Sequence, residues 1–335
     1  MRSTLGRVVA ATLLVPWLLL SASAAAADAA QPTSPTTFSG RATVVDATVL
    51  GIRTTLADAG PLPSSGGAQE ASLLDASVPG LLTAEVLHAS TVGQGNRSAA
   101  EASVAELTLT VAGNTIGADL LMARAQASCG PGGASVRGSS EIVGLVVNGQ
   151  RVAVSGAPNQ VVSLPGGGMV IVNEQDTSTP GSITVSAVHV IVPGAADVVI
   201  SSAHADITCG AGCTAKDFVT GGGFITAPSG AHQNFGVAGG IKNGAFWGHL
   251  VYVDHGTGLK AKGTGVTAYT VTGPTARHIE GNAELNGQGG FTYQVDVNDQ
   301  GEPGRLDTFA ITFSNGYAAG GTLAGGNIQL HAPCP

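Results

Sequence analysis

The sequence is poor in charge. Only 11% of its residues are Asp, Glu, Lys or Arg, and its 22 acids outnumber its 14 bases. Because phosphate recognition needs clustered Lys and Arg, we do not expect this acidic chain to bind nucleic acid or an anionic membrane. Aromatic residues are also scarce, at 4%. The hydrophobic fraction of 43% nevertheless excludes a disordered Gly/Ser tract, since disordered chains contain few apolar residues.

Long apolar runs are missing except at the N-terminus. There a short positive region precedes an apolar run over residues 8–20, and small residues follow as far as Ala27. This order is typical of a secretory signal peptide, and the run is too short for the roughly 20 residues that cross a bilayer. We therefore expect residues 1–27 to be a signal peptide. The mature chain is expected to be secreted or extracellular, without a transmembrane segment.

Glycine, in contrast, is abundant, with 50 residues, and no segment sustains a 3.6-residue period. Many short strands joined by glycine turns fit this composition. The dipeptide Asn148-Gly149 stands between two apolar runs and predicts a hairpin, because both residues tolerate the positive φ of a type I′ turn. Residues 56–80 contain prolines and a Ser/Gly cluster and are interpreted as a long loop with room for a short helix. The sequence predicts an all-β fold with two β-sandwich or barrel-like domains.

Aromatic residues divide the chain into two parts. Residues 28–210 contain Phe38 alone, whereas residues 211–335 contain Trp247, all four tyrosines and the other seven phenylalanines. Two cores of different construction are expected. The sequence therefore predicts a first β domain over residues 28–210 and a second, with an aromatic core, over residues 211–335.

The four cysteines are Cys129, Cys209, Cys213 and Cys334. An even number in an exported protein predicts two disulfides, for which three pairings exist. We favour Cys129 with Cys209 and Cys213 with Cys334, because each bond then closes one domain. Half of a zinc site is the alternative for the close spacing of Cys209 and Cys213, but further ligands are lacking nearby.

Residues 296–307 have the spacing of a calcium-binding loop. Oxygen-bearing side chains stand at loop positions 1, 3, 5 and 12, and Gly301 stands at position 6, where the backbone of such loops turns sharply. The predicted ligands are Asp296, Asn298, Gln300 and Asp307. The alternative is a long polar hairpin loop in which Asp307 pairs with Arg305 or accepts backbone N–H bonds. Calcium is the only cofactor that the sequence suggests, and no motif requires one.

Trp247 and Tyr252 are candidates for glycan contact, because exposed aromatic faces stack on sugar rings. The alternative is that both are core residues. The run Thr220-Gly221-Gly222-Gly223-Phe224 lacks the Lys-Ser/Thr of a phosphate loop and is interpreted as a bulge or a close contact between sheets.

Catalytic motifs are absent. The chain has no Gly-x-Ser-x-Gly elbow and no His-Glu-x-x-His, so no enzyme is predicted. The sequence favours a non-enzymatic binding or structural protein. One alternative is an extracellular hydrolase of unrecognised type, which would need a pocket where carboxylates or a histidine with perturbed pKa values converge. The other is a self-assembling structural layer protein.

Several motifs resemble the bacterial choice-of-anchor P family and the β-rich domain that often follows it. In the first part of the chain the resemblance rests on residues 145–149, 161–167, 173–175, 183–190, 196–200 and 205–209. In the second part it rests on residues 219–225, 247–250, 254–255, 301–304, 307–309 and 320–328. The resemblance implies a secreted or envelope role, with a cell-wall or matrix component or another surface protein as partner, and no known reaction. Because no anchoring signal follows, we expect any wall association to be non-covalent.

Overall fold

The computed structural model describes residues 34–130, 132–210, 217–242 and 244–331, which all belong to one compact unit. Most of this chain is antiparallel β-strand, and the only helical segment in these ranges is the 3-10 turn Pro165–Gly167. The predicted all-β fold is confirmed. No helix in the described ranges has both the length and the apolar character needed to cross a membrane.

The first thirteen described strands form two sheets. In chain order they are β1 (Thr37–Val49), β2 (Ile52–Ala59), β3 (Gly67–Val78), β4 (Leu82–Gln94), β5 (Arg97–Val111), β6 (Asn114–Gly130), β7 (Gly133–Val143), β8 (Val146–Val147), β9 (Gln150–Arg151), β10 (Gln160–Ser163), β11 (Met169–Asp176), β12 (Ser182–Val192) and β13 (Ala196–Thr208). The six-stranded sheet has the order β10-β11-β12-β13-β1-β2. The seven-stranded sheet has the order β3-β4-β5-β6-β8-β9, and β7 also pairs with β6.

The next nine strands form the third sheet. In chain order they are β14 (Phe218–Thr226), β15 (His232–Lys242), β16 (Ala245–Asp254), β17 (Leu259–Val271), β18 (Ala276–Leu285), β19 (Gln288–Asn298), β20 (Thr308–Phe313), β21 (Ala318–Thr322) and β22 (Gly325–His331). The order across the sheet is β21-β20-β19-β18-β17-β16-β15-β14-β22. The edge strands β21 and β22 are joined by only Leu323 and Ala324, so the sheet must curl into a half-barrel.

Two large apolar cores differ in composition, as the distribution of aromatic residues predicts. The first lies between the six- and seven-stranded sheets and consists of aliphatic residues such as Val45, with Phe38 as its aromatic member. The second fills the half-barrel, where Phe235 stacks on Phe309 with ring centroids 3.9 Å apart. The division at residue 211 stays a prediction, since residues 211–216 lie outside the described ranges.

The seven-stranded sheet is the middle layer of the molecule. One face covers the first core, and the other packs against the half-barrel through a small cluster in which Val86 and Ala105 meet Val251 and Val253. The middle sheet and the half-barrel thus pack directly against each other at this cluster.

Glycines permit that approach. A Cβ atom on Gly222 of β14 would lie 2.6 Å from Ser103 Oγ on β5, and one on Gly236 of β15 would lie 2.9 Å from the Cβ of His88. Neither position can carry a side chain without moving a neighbour. The interpretation of the glycine run on β14 as a close contact between sheets is therefore confirmed.

The structure corrects the loop that was predicted for residues 56–80. Most of this segment belongs to β2 and β3, and β3 pairs with β4 from Gly67 opposite Gly93 to Val78 opposite Leu82. β3 is an edge strand in which polar and apolar side chains are mixed and nearly all are half-exposed or exposed, so its sequence shows little regular alternation of apolar and polar residues. The predicted Asn148-Gly149 turn, in contrast, is present between β8 and β9, with φ angles of 49° and 76°.

Cys129 on β6 and Cys209, directly after β13, form the predicted disulfide. Their Cα atoms are 5.6 Å apart, and the bond connects the seven-stranded sheet to the six-stranded sheet. Cys213 and Cys334 lie outside the described residues, so the second disulfide stays a prediction.

Candidate functional site

Charged and amide side chains form a row across three neighbouring strands of the middle sheet. Glu101 on β5 stands opposite Arg124 on β6, which stands opposite Ser139 on β7. Because alternate residues of a strand share a face, Gln126 and Arg137 lie beside this row on the same side. This face is turned toward the half-barrel.

The facing wall is built by β22 and the loop that precedes β20. Two aspartates fasten this loop to β22, because Asp299 Oδ2 accepts the backbone N–H of Leu330 at 2.7 Å and Asp307 Oδ2 accepts that of Ile328 at 2.8 Å. Gly304 lets the loop come close. Its φ is 77°, and a Cβ atom there would lie 2.6 Å from Asn327 Oδ1.

Between these two walls lies a cleft of about 310 Å³. Its volume is at the lower end of the range, about 300–1,000 Å³, that is usual for ligand sites. The polar residues that line it are Arg97, Glu101, Arg124, Gln126, Arg137, Ser139, Glu302 and Gln329. Carboxyl groups, guanidinium groups and amides therefore meet around one opening.

Glu101 lies at the base of the cleft and is 5% exposed. Its Oε2 accepts a hydrogen bond from Asn327 Nδ2 at 3.3 Å, whereas its Oε1 has no partner among the described residues. Burial raises the pKa of Glu101 to about 8, although the nearby Arg124 opposes the shift. At neutral pH the group is thus a carboxylic acid, which can donate a hydrogen bond or a proton.

Glu302 lies at the mouth of the cleft and is exposed. Its Oε1 accepts hydrogen bonds from Asn327 Nδ2 and from Gln329 Nε2, both at 3.2 Å. Glu101 and Glu302 therefore share one donor nitrogen, and their carboxyl groups lie within the length of two hydrogen bonds. The amides of β22 fix both side chains in orientation.

The arginines of the cleft fall into two kinds. Arg124 is held in place, since its Nε donates to Ser139 Oγ at 3.3 Å and its guanidinium lies 3.7 Å from Glu141. Arg97 and Arg137, in contrast, have no ion pair with any acid in the described ranges, while Arg277 is fully paired with Asp217. Two guanidinium groups are thus free to bind an external anion.

A second cavity of about 540 Å³ lies further along β7. Ser140 and Glu141 line it, next in sequence to Ser139 of the cleft, and Arg305 contributes a further guanidinium. Residues of β7 therefore contribute to the walls of both cavities.

The predicted calcium ligands are not brought together. Asp296 Oδ1 lies 2.7 Å from His278 Nδ1, and Asn298 Oδ1 accepts the hydroxyl of Thr275. Asp307 is fully buried and accepts two backbone N–H bonds, from Gln300 and Ile328. The alternative of a polar loop held by backbone bonds to Asp307 is therefore the arrangement observed. Calcium binding stays a prediction, which titration calorimetry with calcium would check.

Nor do the two aromatic candidates form a sugar platform. Tyr252 is 0% exposed, and its hydroxyl lies 2.6 Å from that of Tyr317, so it is a core residue and cannot stack on a glycan. Trp247 is half-buried, packs edge-on against Phe218 and lies under the ammonium of Lys242. Its role in glycan contact stays a prediction.

One serine and histidine pair is the nearest approach to a nucleophilic triad. Ser72 Oγ lies 2.9 Å from His88 Nδ1, but Glu70 contacts the serine and not the histidine. In a catalytic triad the carboxylate accepts a hydrogen bond from the histidine ring and not from the serine, so these three residues do not form a triad. Burial and the neighbouring His249 lower the pKa of His88 to about 3, which keeps the ring neutral.

In the described parts of the chain no three His, Cys, Asp or Glu residues are placed to hold a metal ion.

The sequence interpretation missed the cleft. Its parts lie far apart in the chain, with 226 positions between Glu101 and Asn327. One signal was available, because Glu101 is the only charged residue in the apolar stretch from Ser98 to Ala105. A charge in such a strand must have a partner or a function.

Comparison with known proteins adds little. No protein-family model matches the chain, and no curated protein matches it. Among solved structures it is similar to the crystal structure of kievitone hydratase from Nectria haematococca, with 10% identity over 90% of each chain and a TM-score of 0.19. A similarity this low carries no argument about activity. The resemblance to the choice-of-anchor P family stays a prediction.

Proposed function

We propose that this protein is a secreted or envelope-associated binding protein whose ligand is an acidic glycan, held in the cleft between β5–β7 and β22. The observation that carries the proposal is that Arg97 and Arg137, which have no ion pair in the described ranges, line one cleft together with the amides of Gln126 and Gln329. The expected signal peptide and the resemblance to surface proteins support the location.

The chemistry of the cleft favours sugars that carry carboxylates. Guanidinium groups bind carboxylates through two parallel hydrogen bonds, which gives geometric specificity as well as affinity. The amides of Gln126 and Gln329 offer both a donor and an acceptor, as a sugar hydroxyl requires. Since the chain as a whole is acidic, with 22 acids against 14 bases, the cleft is a local exception to a surface that repels anions.

Arg137 provides the sharpest test of binding. We expect Arg137→Gln to weaken the binding of an oligogalacturonate at least tenfold, because one charge-assisted carboxylate contact is worth about 1.5–3 kcal/mol. Titration calorimetry with the purified protein measures the affinity. Arg53→Gln is the matched control, since Arg53 is exposed on β2 and already paired with Asp46.

The neutral galacto-oligosaccharide of the same length distinguishes charge recognition from general sugar binding. The acidic oligomer should bind more tightly, and the difference should shrink in the Arg137→Gln protein. Equal affinity for the two oligomers, or equal losses in the two arginine variants, would contradict the proposal.

A further inference from the structure

We propose that the cleft also cleaves the glycosidic bond of its ligand, with Glu101 as proton donor and Glu302 as nucleophile. The inference rests on the proposed function for the class of ligand and goes beyond it in assigning a reaction. Neither glutamate is among the site residues that the sequence predicts. The two carboxyl groups come from different parts of the fold and meet only in the folded chain.

The spacing of the pair fits this chemistry. Glu101 and Glu302 both accept a hydrogen bond from Asn327 Nδ2, at 3.3 Å and 3.2 Å. Glycosidases that form a covalent intermediate hold their two carboxyl groups about 5 Å apart, whereas those that activate a water hold them further apart. Two carboxyl groups that accept from one nitrogen are close enough to each other to act in the first way.

The free oxygen of Glu101 is an independent indication of a ligand. Oε1 is buried, has no partner among the described residues and belongs to a side chain that lines the cleft. A buried polar atom without a partner costs free energy, so we expect a bound ligand or an ordered water to complete it. The glycosidic oxygen of a bound sugar chain would be that partner.

The environments of Glu101 and Glu302 also differ as the reaction requires, since one group must donate a proton and the other must act as a carboxylate. Burial raises the pKa of Glu101 to about 8, so it carries a proton at neutral pH. Glu302 is exposed and receives two amide N–H bonds on Oε1, an arrangement that suits a carboxylate acceptor and leaves Oε2 free. A proton donor and a carboxylate nucleophile thus stand on either side of one amide.

The reaction balances in two steps. First, Glu101 gives its proton to the glycosidic oxygen while the bond from that oxygen to the anomeric carbon breaks, and Glu302 Oε2 forms an ester bond to the same carbon. The leaving sugar departs as an alcohol. Second, water gives a proton to the Glu101 carboxylate and its oxygen to the anomeric carbon, and the ester bond breaks. Both side chains return to their starting forms, and the new sugar end keeps its anomeric configuration.

The residues around the two glutamates would bind and position the substrate. Arg97 and Arg137 would hold uronate carboxylates in the cleft, while the second cavity, with Ser140 and Arg305, would hold neighbouring units along β7. A chain of several sugars therefore fits better than a single unit.

The experiment measures new reducing ends after the full-length protein is incubated with polygalacturonate, alginate or hyaluronan. We expect release from at least one of them, with a fall in kcat/KM as the pH rises through about 8. Glu101→Gln should lower the rate about 100-fold or more while the affinity measured by calorimetry stays within about threefold. Glu284→Gln on β18 is the control and should change neither.

A second variant tests the nucleophile separately. Glu302→Ala should lose the activity, and added azide should restore turnover by forming a glycosyl azide. Binding of an acidic glycan without release of reducing ends from any of the three polymers would overturn this inference and leave the proposed function standing. Absence of binding would remove both. A product of inverted configuration would overturn the assignment of Glu302 as nucleophile.

Discussion

Replacing both Cys129 and Cys209 with alanine is expected to lower the free energy of unfolding by about 4 kcal/mol. The disulfide joins residues 80 positions apart, and a crosslink stabilises mainly by removing the conformational entropy of such a loop from the unfolded chain. It also connects β6 of the middle sheet to the end of β13 in the outer sheet. Urea unfolding at neutral pH, followed by circular dichroism, measures the loss.

The single variants provide the internal control. Cys129→Ala and Cys209→Ala each break the same bond, so each should lose nearly as much as the double variant. Two losses that add up in the double variant would mean that the side chains act through packing. A double variant as stable as the wild type would mean that the crosslink does not constrain the unfolded chain.

Local sequence signals were sufficient for the fold class. A hairpin such as Asn148-Gly149 depends on two adjacent residues that tolerate positive φ, and the structure has both of them there. The contrast between an aliphatic and an aromatic core depends only on composition. Each of these features is decided within a short stretch of chain, so no knowledge of tertiary contacts was needed.

The cleft could not be predicted in the same way. Glu101, Arg124 and Arg137 lie on consecutive strands, but the amide that orients Glu101 comes from Asn327 on a different sheet. Packing between sheets decides this contact, and neither periodicity nor spacing in the sequence records it. The sequence interpretation offered Asp307 as a calcium ligand or, alternatively, as a partner of Arg305 or an acceptor of backbone N–H bonds. In the structure Asp307 accepts one backbone N–H from Gln300 in the same loop and one from Ile328 on β22, and only the packing of the loop against β22 decides the second contact.

Glu101→Gln is expected to make the protein more stable at alkaline pH, by about 4 kcal/mol at pH 8 relative to its effect at pH 4. The folded state holds the pKa of Glu101 at about 8, above its ordinary value of 4.5. As the pH rises above 4.5, the unfolded chain of the wild type loses this proton while the folded protein keeps it. Stability conferred by the protonated group is therefore lost progressively up to about pH 8, and glutamine, which does not titrate, avoids the loss.

The measurement is urea unfolding of both proteins at half-unit intervals between pH 4 and 9. The difference between them should grow by about 1.4 kcal/mol per pH unit over this window and then level off. Glu284→Gln, at a half-buried residue of β18, is the control for replacing a glutamate outside the cleft. A constant difference across the range would mean that Glu101 is ionised in the folded protein.

The sign of this effect bears on function as well as on stability. Burial is the largest cause of the raised pKa, and the carboxylates of Glu302 and Asp307 add to it. A glutamine at this position could accept the hydrogen bond from Asn327 through its carbonyl oxygen, and it would not titrate. If Glu101→Gln is more stable and no longer releases reducing ends, Glu101 serves as a proton donor and does not stabilise the folded protein. Natural active sites commonly lower stability in this way. If the variant is more stable and fully functional, the buried acid has no role in the cleft, and the binding site depends on its arginines alone.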